Sequence, residues 1–132
     1  MCSSDLREGT DVTIVSYLKT LHHALEAAEI LAEEGISCEV WDPRTLVPFD
    51  YEGLRASLRR TGRLVVAHEG VRRGGVGAEI AAWAAEECHD LLRGPVCRVG
   101  ARNTPVPYAP VLEKEVIPDA ARIADAVRKA LA

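Results

Sequence analysis

The feature that most constrains this chain is an alternation: short β-branched, apolar runs trade places with longer segments of helical period. Residues 12–17, 36–41, 64–67 and 96–99 read as strands, the first of them (Val12, Thr13, Ile14, Val15, Ser16, Tyr17) largely buried in character. Between the first two, Leu21, Leu25, Ala28, Leu31 and Ala32 share one helical face, with Thr20 predicted as the N-cap and Gly35 as the stop. Asp50 is predicted to cap a short helix with Tyr51, Leu54 and Leu58 inward, ended by Gly62. A glycine-rich turn leads into a third helix with Ile80, Ala81, Ala84, Cys88 and Leu91 inward, and Pro118-Asp119 opens a last one burying Ile123, Val127, Ala130 and Leu131. Strands of this length alternating with helices predict the α/β class: a three-layer α/β/α sandwich with a mainly parallel sheet covered on both faces.

At 132 residues the chain is expected to form one domain. Residues 1–10 read as a polar, linker-like lead and residues 11–132 as the domain. Residues 103–110 carry Pro105, Pro107 and Pro110 and are predicted to be an extended loop, because proline fixes φ and breaks regular elements. Sixteen basic against 20 acidic residues give a net charge of −4, which argues against a nucleic-acid partner. No apolar run approaches the ~20 residues needed to span a bilayer, and the N-terminus lacks an apolar signal core, so the expectation is a cytoplasmic protein without a membrane partner. Cys2, Cys38, Cys88 and Cys97 form no closely spaced pair and read as buried thiols rather than zinc ligands.

In open α/β sheets ligands bind at the carboxyl ends of the strands, so chemistry is sought there. His68-Glu69 is the most enzyme-like pair, a histidine beside a carboxylate at a strand end. Adjacent strand residues point to opposite faces, however, which favours a structural role for one and an outward role for the other. Gly74, Gly75 and Gly77, helped by Arg72 and Arg73, could hold an anion at the following helix's N-terminus. The turn lacks the Gly-Lys-Ser/Thr of a phosphate loop and the spacing of a dinucleotide fingerprint, so the phosphate signal is weak and a tight turn with close helix-to-sheet packing is the favoured reading. His22 and His23, in a first helical turn, suit neutral packing at an interface, without the spacing of a metal pair. No nucleophile–base–acid set emerges, and neither a catalytic residue nor a metal ligand is assigned.

Six stretches taken together are more telling. They are Arg7-Glu8-Gly9-Thr10-Asp11-Val12-Thr13-Ile14-Val15, Ala24-Leu25-Glu26-Ala27-Ala28-Glu29 and Ser37-Cys38-Glu39-Val40-Trp41-Asp42-Pro43-Arg44-Thr45-Leu46. Thr61-Gly62-Arg63-Leu64-Val65-Val66-Ala67-His68-Glu69, Gly74-Gly75-Val76-Gly77-Ala78-Glu79-Ile80-Ala81 and Thr104-Pro105-Val106-Pro107-Tyr108 complete the series. Their order and spacing resemble the C-terminal domain of transketolase-like thiamine diphosphate enzymes. Within that group they look most like the beta subunit of the decarboxylating component of pyruvate and branched-chain 2-oxo-acid dehydrogenase complexes. The likeness runs over residues 6–131. It implies a small mixed sheet of about five strands, mostly parallel with one antiparallel. It also implies a place in an assembly where thiamine diphosphate and magnesium sit between pyrimidine- and pyrophosphate-binding domains, neither of which is recognisable here. No Gly-Asp-Gly, the start of the pyrophosphate and metal motif, occurs.

The resemblance therefore implies a C-terminal domain or separately encoded subunit that serves assembly and partner docking and is inactive by itself. Its partners would be chains supplying the two missing domains, together with the acyltransferase core, in a homodimer or hetero-oligomer. His68, Glu69, Arg72, Arg73, Pro105, Pro107 and Tyr108 are the expected partner face. Met1 and the short non-family lead read as a native start, with a fragment of a longer subunit as the competing expectation. A stand-alone binding or regulatory module that keeps the fold without the enzyme is the alternative function, and a small enzyme built on His68 and Glu69 ranks last. Departures from the family pattern cluster at strand ends. Leu18 stands where glycine usually follows the tyrosine, His23 replaces an apolar residue, Pro43 stands where leucine is common, and Arg102-Asn103 replaces the usual acidic residue before Thr-Pro.

Overall fold

A computed structural model describes residues 4–132. The elements run β1 (Ser4–Arg7), β2 (Val12–Ser16), α1 (Lys19–Glu33), β3 (Cys38–Asp42), α2 (Tyr51–Thr61), β4 (Leu64–Val71), α3 (Val76–Glu87), β5 (Cys97–Ala101), α4 (Pro110–Val116) and α5 (Ala120–Leu131). One five-stranded sheet has the order β1-β3-β2-β4-β5. Strands β2 to β5 are parallel to their neighbours, and β1 pairs antiparallel with β3.

The period-2 alternation of the strands sorts the core into two layers. Ile14, Val40, Val65 and Val99 point one way, into Leu31 of α1 and Ile123 and Val127 of α5. Val15, Trp41, Leu64 and Val66 point the other way, into Leu54 and Leu58 of α2 and Ile80 and Ala84 of α3. Polar residues buried on the second side are bonded. The Thr13 hydroxyl meets those of Ser57 (2.6 Å) and Thr61 (2.7 Å) on α2. Glu39 accepts from the Arg60 guanidinium (2.7 Å), which also lies 3.6 Å from Asp5 of β1 and so ties the edge strand to α2. Burial raises the Glu39 carboxyl above the usual carboxylate range.

The cap chemistry works at two helices and fails at one. Asp50 accepts from the Gly53 N–H and Asp119 from the Arg122 N–H, both at 2.9 Å. Gly62 closes α2 in the left-handed conformation (φ 68°). Thr20, in contrast, lies inside α1, which opens at Lys19 after Leu18, and its buried hydroxyl finds no partner among the described residues.

Five expectations are corrected by packing. Within the polar lead, residues 4–7 form the antiparallel edge strand, which strong alternation does not announce in so short a segment. Strand β4 runs on through His68 and Glu69 to Val71, because β5 pairs with it as far as Ala101. Ala32 is exposed, and Leu91 lies past the end of α3. The proline-rich loop ends in the short helix α4, with Pro110 at its start, a position where the missing N–H costs nothing. Cys38, Cys88 and Cys97 are free and buried as expected, burial pushing the Cys38 thiol up to about 11, whereas Cys2 lies outside the described residues.

Candidate functional site

Because β2 to β5 are parallel, the segments that follow them emerge at one edge of the sheet. At the end of β4, His68 continues the file of Leu64 and Val66 toward α3 and is only 2% exposed. Its ring has both nitrogens engaged. The Gly77 N–H donates to Nε2 and Nδ1–H donates to the Gly70 carbonyl, each at 3.0 Å. A backbone N–H can only donate, so Nε2 carries a lone pair and the imidazole is held neutral as the Nδ1–H tautomer. Burial, opposed in part by the Gly70 bond, holds its pKa below the ordinary histidine range.

Two glycines of the turn, Gly75 and Gly77, make room for this ring. A Cβ on Gly77 would stand 2.7 Å from His68 Nε2, and one on Gly75 would stand 2.8 Å from His68 Cε1 and 2.4 Å from the Val71 carbonyl oxygen. The turn is a packing device, with the helix N-terminal donor that an anion would use already taken. This corrects two expectations: His68 is an internal residue rather than a partner-face residue, and Gly77 is not an anion donor. Nor can the Gly77 N–H at the start of α3 bind the diphosphate group of a cofactor, for the same reason. Among the described residues no three His, Cys, Asp or Glu side chains converge as metal ligands.

The other predicted residues do face outward. Glu69, Arg72, Arg73, Pro105 and Tyr108 are exposed, Pro107 is half-buried, and Gly74 is exposed with φ 70°. His22 is exposed, and half-buried His23 lies 3.9 Å from Glu26. Sequence reasoning missed the apolar character of this edge. Of ten exposed large apolar side chains among the described residues, eight (Leu18, Leu46, Val47, Val71, Val106, Tyr108, Val111 and Leu112) lie at or after the carboxyl ends of parallel strands. The available signal was their position directly after strands and among prolines. Helix α4 reaches across this edge: its Pro110, Glu113 and Lys114 line one cleft of about 510 Å³ with Lys19 and His23 of α1.

Leu18 adds strain to exposure. It has φ 55° and ψ −139°, a region that favours glycine, and it is 78% exposed. The turn has thus kept a glycine-type backbone while carrying a leucine side chain into solvent.

This arrangement, a five-stranded mixed sheet in the order β1-β3-β2-β4-β5 with helices on both faces, is matched by comparison with known proteins. The family model described as "Transketolase, C-terminal domain" matches residues 4–123, and the chain belongs to that family. It is 44% identical over 126 residues to the beta subunit of acetoin:2,6-dichlorophenolindophenol oxidoreductase from Cupriavidus necator, covering 96% of this chain and 37% of that protein. It is 46% identical over 124 residues to the mitochondrial pyruvate dehydrogenase E1 component subunit beta-1 of Arabidopsis thaliana, covering 94% of this chain and 34% of that one. Among solved structures, a split-gene transketolase described as an inactive beta4 tetramer superposes with a TM-score of 0.87 at 37% identity, over 98% of this chain and 42% of its own. The 2-oxoglutarate:ferredoxin oxidoreductase of Magnetococcus marinus shares the fold at a TM-score of 0.65 and 13% identity. The chain thus spans 34% to 42% of the length of the two beta subunits and the split-gene transketolase. Among the described residues no helix is long and apolar enough to cross a membrane.

Proposed function

We propose that this chain is the assembly-forming C-terminal domain, or a separately encoded subunit, of a cytoplasmic thiamine-diphosphate-dependent enzyme of the 2-oxo-acid dehydrogenase or transketolase type. It is inactive alone. Its carboxyl edge seats against chains that supply the pyrimidine- and pyrophosphate-binding domains, where thiamine diphosphate and magnesium would be held. The observation that carries this reading is the gathering of eight exposed apolar side chains at one sheet edge. Single exposed apolar residues are ordinary, but eight of ten falling at or after the carboxyl ends of the parallel strands is a bias that argues for an interface at that end of the sheet. The strained, outward Leu18 supports it, since strain persists where a function uses it. The similarity to beta subunits supplies the enzyme class.

The test is a tagged pull-down from the native host followed by mass spectrometry. Recovery of a chain that carries Gly-Asp-Gly and a pyrimidine-binding domain is the expected result, and addition of thiamine diphosphate and magnesium to that complex then yields activity on a 2-oxo acid or a ketose. Recovery of the chain alone, or with unrelated proteins, overturns the reading in favour of an independent binding module. Replacing Tyr108 and Val111 together by serine is expected to abolish the capture.

A further inference from the structure

Beside the locked histidine, five arginines line one cleft of about 630 Å³: Arg72 and Arg73 from the turn after β4, Arg98 on β5, Arg102 just past it, and Arg122 in the first turn of α5. Among the described residues no carboxylate lines this cleft. In a chain with 20 acidic and 16 basic residues, that concentration of one sign is built against the average charge. We propose that the cleft is a binding site for a small phosphate-bearing ligand, one presenting a diphosphate or two neighbouring oxyanions.

Three features carry the inference. First, the guanidinium groups are positioned by neutral partners, so their charge is not spent. Arg98 Nη1 donates to the Arg72 carbonyl (2.9 Å), while Arg122 donates from Nη1 to the Val116 carbonyl (3.3 Å) and from Nη2 to the Gly100 carbonyl (3.2 Å). Among the described residues, Arg102 is the one of the five with an ion pair, a loose one with exposed Glu115 at 3.6 Å. The nearby Asp119 carboxylate is engaged with the backbone N–H of Arg122 as the helix cap. Arg122 even sits in the first turn of a helix, where the dipole disfavours a cation, so an external anion would relieve a repulsion the fold leaves standing.

Second, all five are arginine and none is lysine. The planar fork matches phosphate and carboxylate oxygens two at a time, whereas lysine offers a point charge. The cleft also lies within the size range of small-molecule sites, which argues for a compact ligand rather than an extended acidic surface.

Third, the unneutralised charge is felt by neighbouring groups. Burial is the main reason the His68 pKa is low, and the charge of Arg98 pushes in the same direction. The Cys97 thiol, raised by burial, is pulled back by Lys129 and Arg72. The close approach of β5 to the arginine turn is itself permitted by Gly100, where a Cβ would stand 2.8 Å from the Arg72 Cα.

The test is isothermal titration of the chain, as it stands, with inorganic diphosphate and separately with ADP, at low and at physiological ionic strength. Binding in the micromolar to submillimolar range that weakens with salt is expected. The double substitution R72Q/R73Q should weaken it about tenfold or more, whereas R59Q, an exposed arginine of α2, should leave it unchanged. Arg72 and Arg73 are exposed, so their replacement should leave the melting temperature within the error of the wild type; R102Q offers a second, independent variant with the same expected direction. Tighter binding of ADP than of diphosphate identifies a nucleotide-type coenzyme, and equal binding identifies the phosphates alone as the recognised part. Absence of binding to both, or binding indifferent to R72Q/R73Q, overturns the site. Binding of a polyglutamate peptide in place of both small ligands also overturns it, and assigns the cleft to an acidic segment of a partner chain.

Discussion

His68 and Arg72 stand four residues apart at the same strand end, yet the fold treats them oppositely. The histidine is buried with both ring nitrogens bonded to backbone groups. The arginine is exposed and lines an open cleft. The residue that looks most like a catalyst is spent on holding β4 against α3, and the ones that look like ordinary solvated charge are left free for a ligand. The same division runs along the carboxyl edge: the Ser16 hydroxyl donates to the Ala67 carbonyl (2.9 Å) and the His68 ring is bonded to backbone groups, while what the edge offers outward is apolar side chains and guanidinium groups. Such an edge is suited to binding and docking rather than to proton transfer.

Gly77→Val is expected to have the largest effect. Its side chain would begin 2.7 Å from His68 Nε2 and 3.3 Å from Val66 Cγ1. Overpacking together with the lost hydrogen bond is expected to cost about 3–4 kcal/mol, a fall in melting temperature of about 12 °C read by calorimetry. His68→Ala should cost about 2 kcal/mol, since it leaves the Gly77 N–H unpaired and opens a cavity. Glu69→Ala, on the adjacent exposed position, should stay within about 0.5 kcal/mol of wild type. Equal effects for these two neighbours would show that the histidine is not the internal brace described.

The pH dependence sharpens the same point. In the unfolded chain His68 titrates near its ordinary value of about 6.5, and in the folded chain lower, so the unfolded chain binds more protons between the two. Stability from this residue is complete above about pH 7 and declines as pH falls through 6.5 toward the folded value. Denaturant unfolding at a series of pH values should show that decline in the wild type and less of it in His68→Asn.

At the rim the expected signs reverse. Leu18→Gly removes strain from the φ 55° position and should raise stability by about 1 kcal/mol while weakening capture of the partner. Tyr108→Ser, at a fully exposed position, should leave the melting temperature unchanged and reduce partner capture alone. A loss of stability in either variant would place that residue with the interior rather than with the docking edge.

Much of the fold was legible along the chain because its signals are local. Asp50 and Gly62 bracket α2 as cap and stop, Asp119 opens α5, and the apolar runs of β2 to β5 mark buried strands whatever surrounds them. Thr20 shows the limit, since the same residue type that caps helices was carried into α1 when the turn at Leu18 set the helix start two residues earlier. The β1 strand and α4 were hidden for a related reason. Each is short, and each is held mainly by a partner distant in sequence, β3 for the one and the end of β5 for the other, where the Arg102 N–H donates to the Val116 carbonyl.

The candidate site divides along the same line. The order of residues alone places His68, Glu69, Arg72 and Arg73 at or just past the carboxyl end of the third parallel strand, and the glycine turn at the start of a helix, because strand and turn propensities act over a few residues. Only the tertiary structure decided which of them are spent and which are free. Whether the His68 ring meets a ligand or the Gly77 N–H depends on how closely α3 approaches β4. Whether Arg72 is one solvated charge or one of five depends on Arg98 and Arg122, brought beside it by a β4–β5 pairing and a helix more than 20 residues away along the chain. Burial and charge clustering are properties of distances through space, which the order of residues along the chain does not contain.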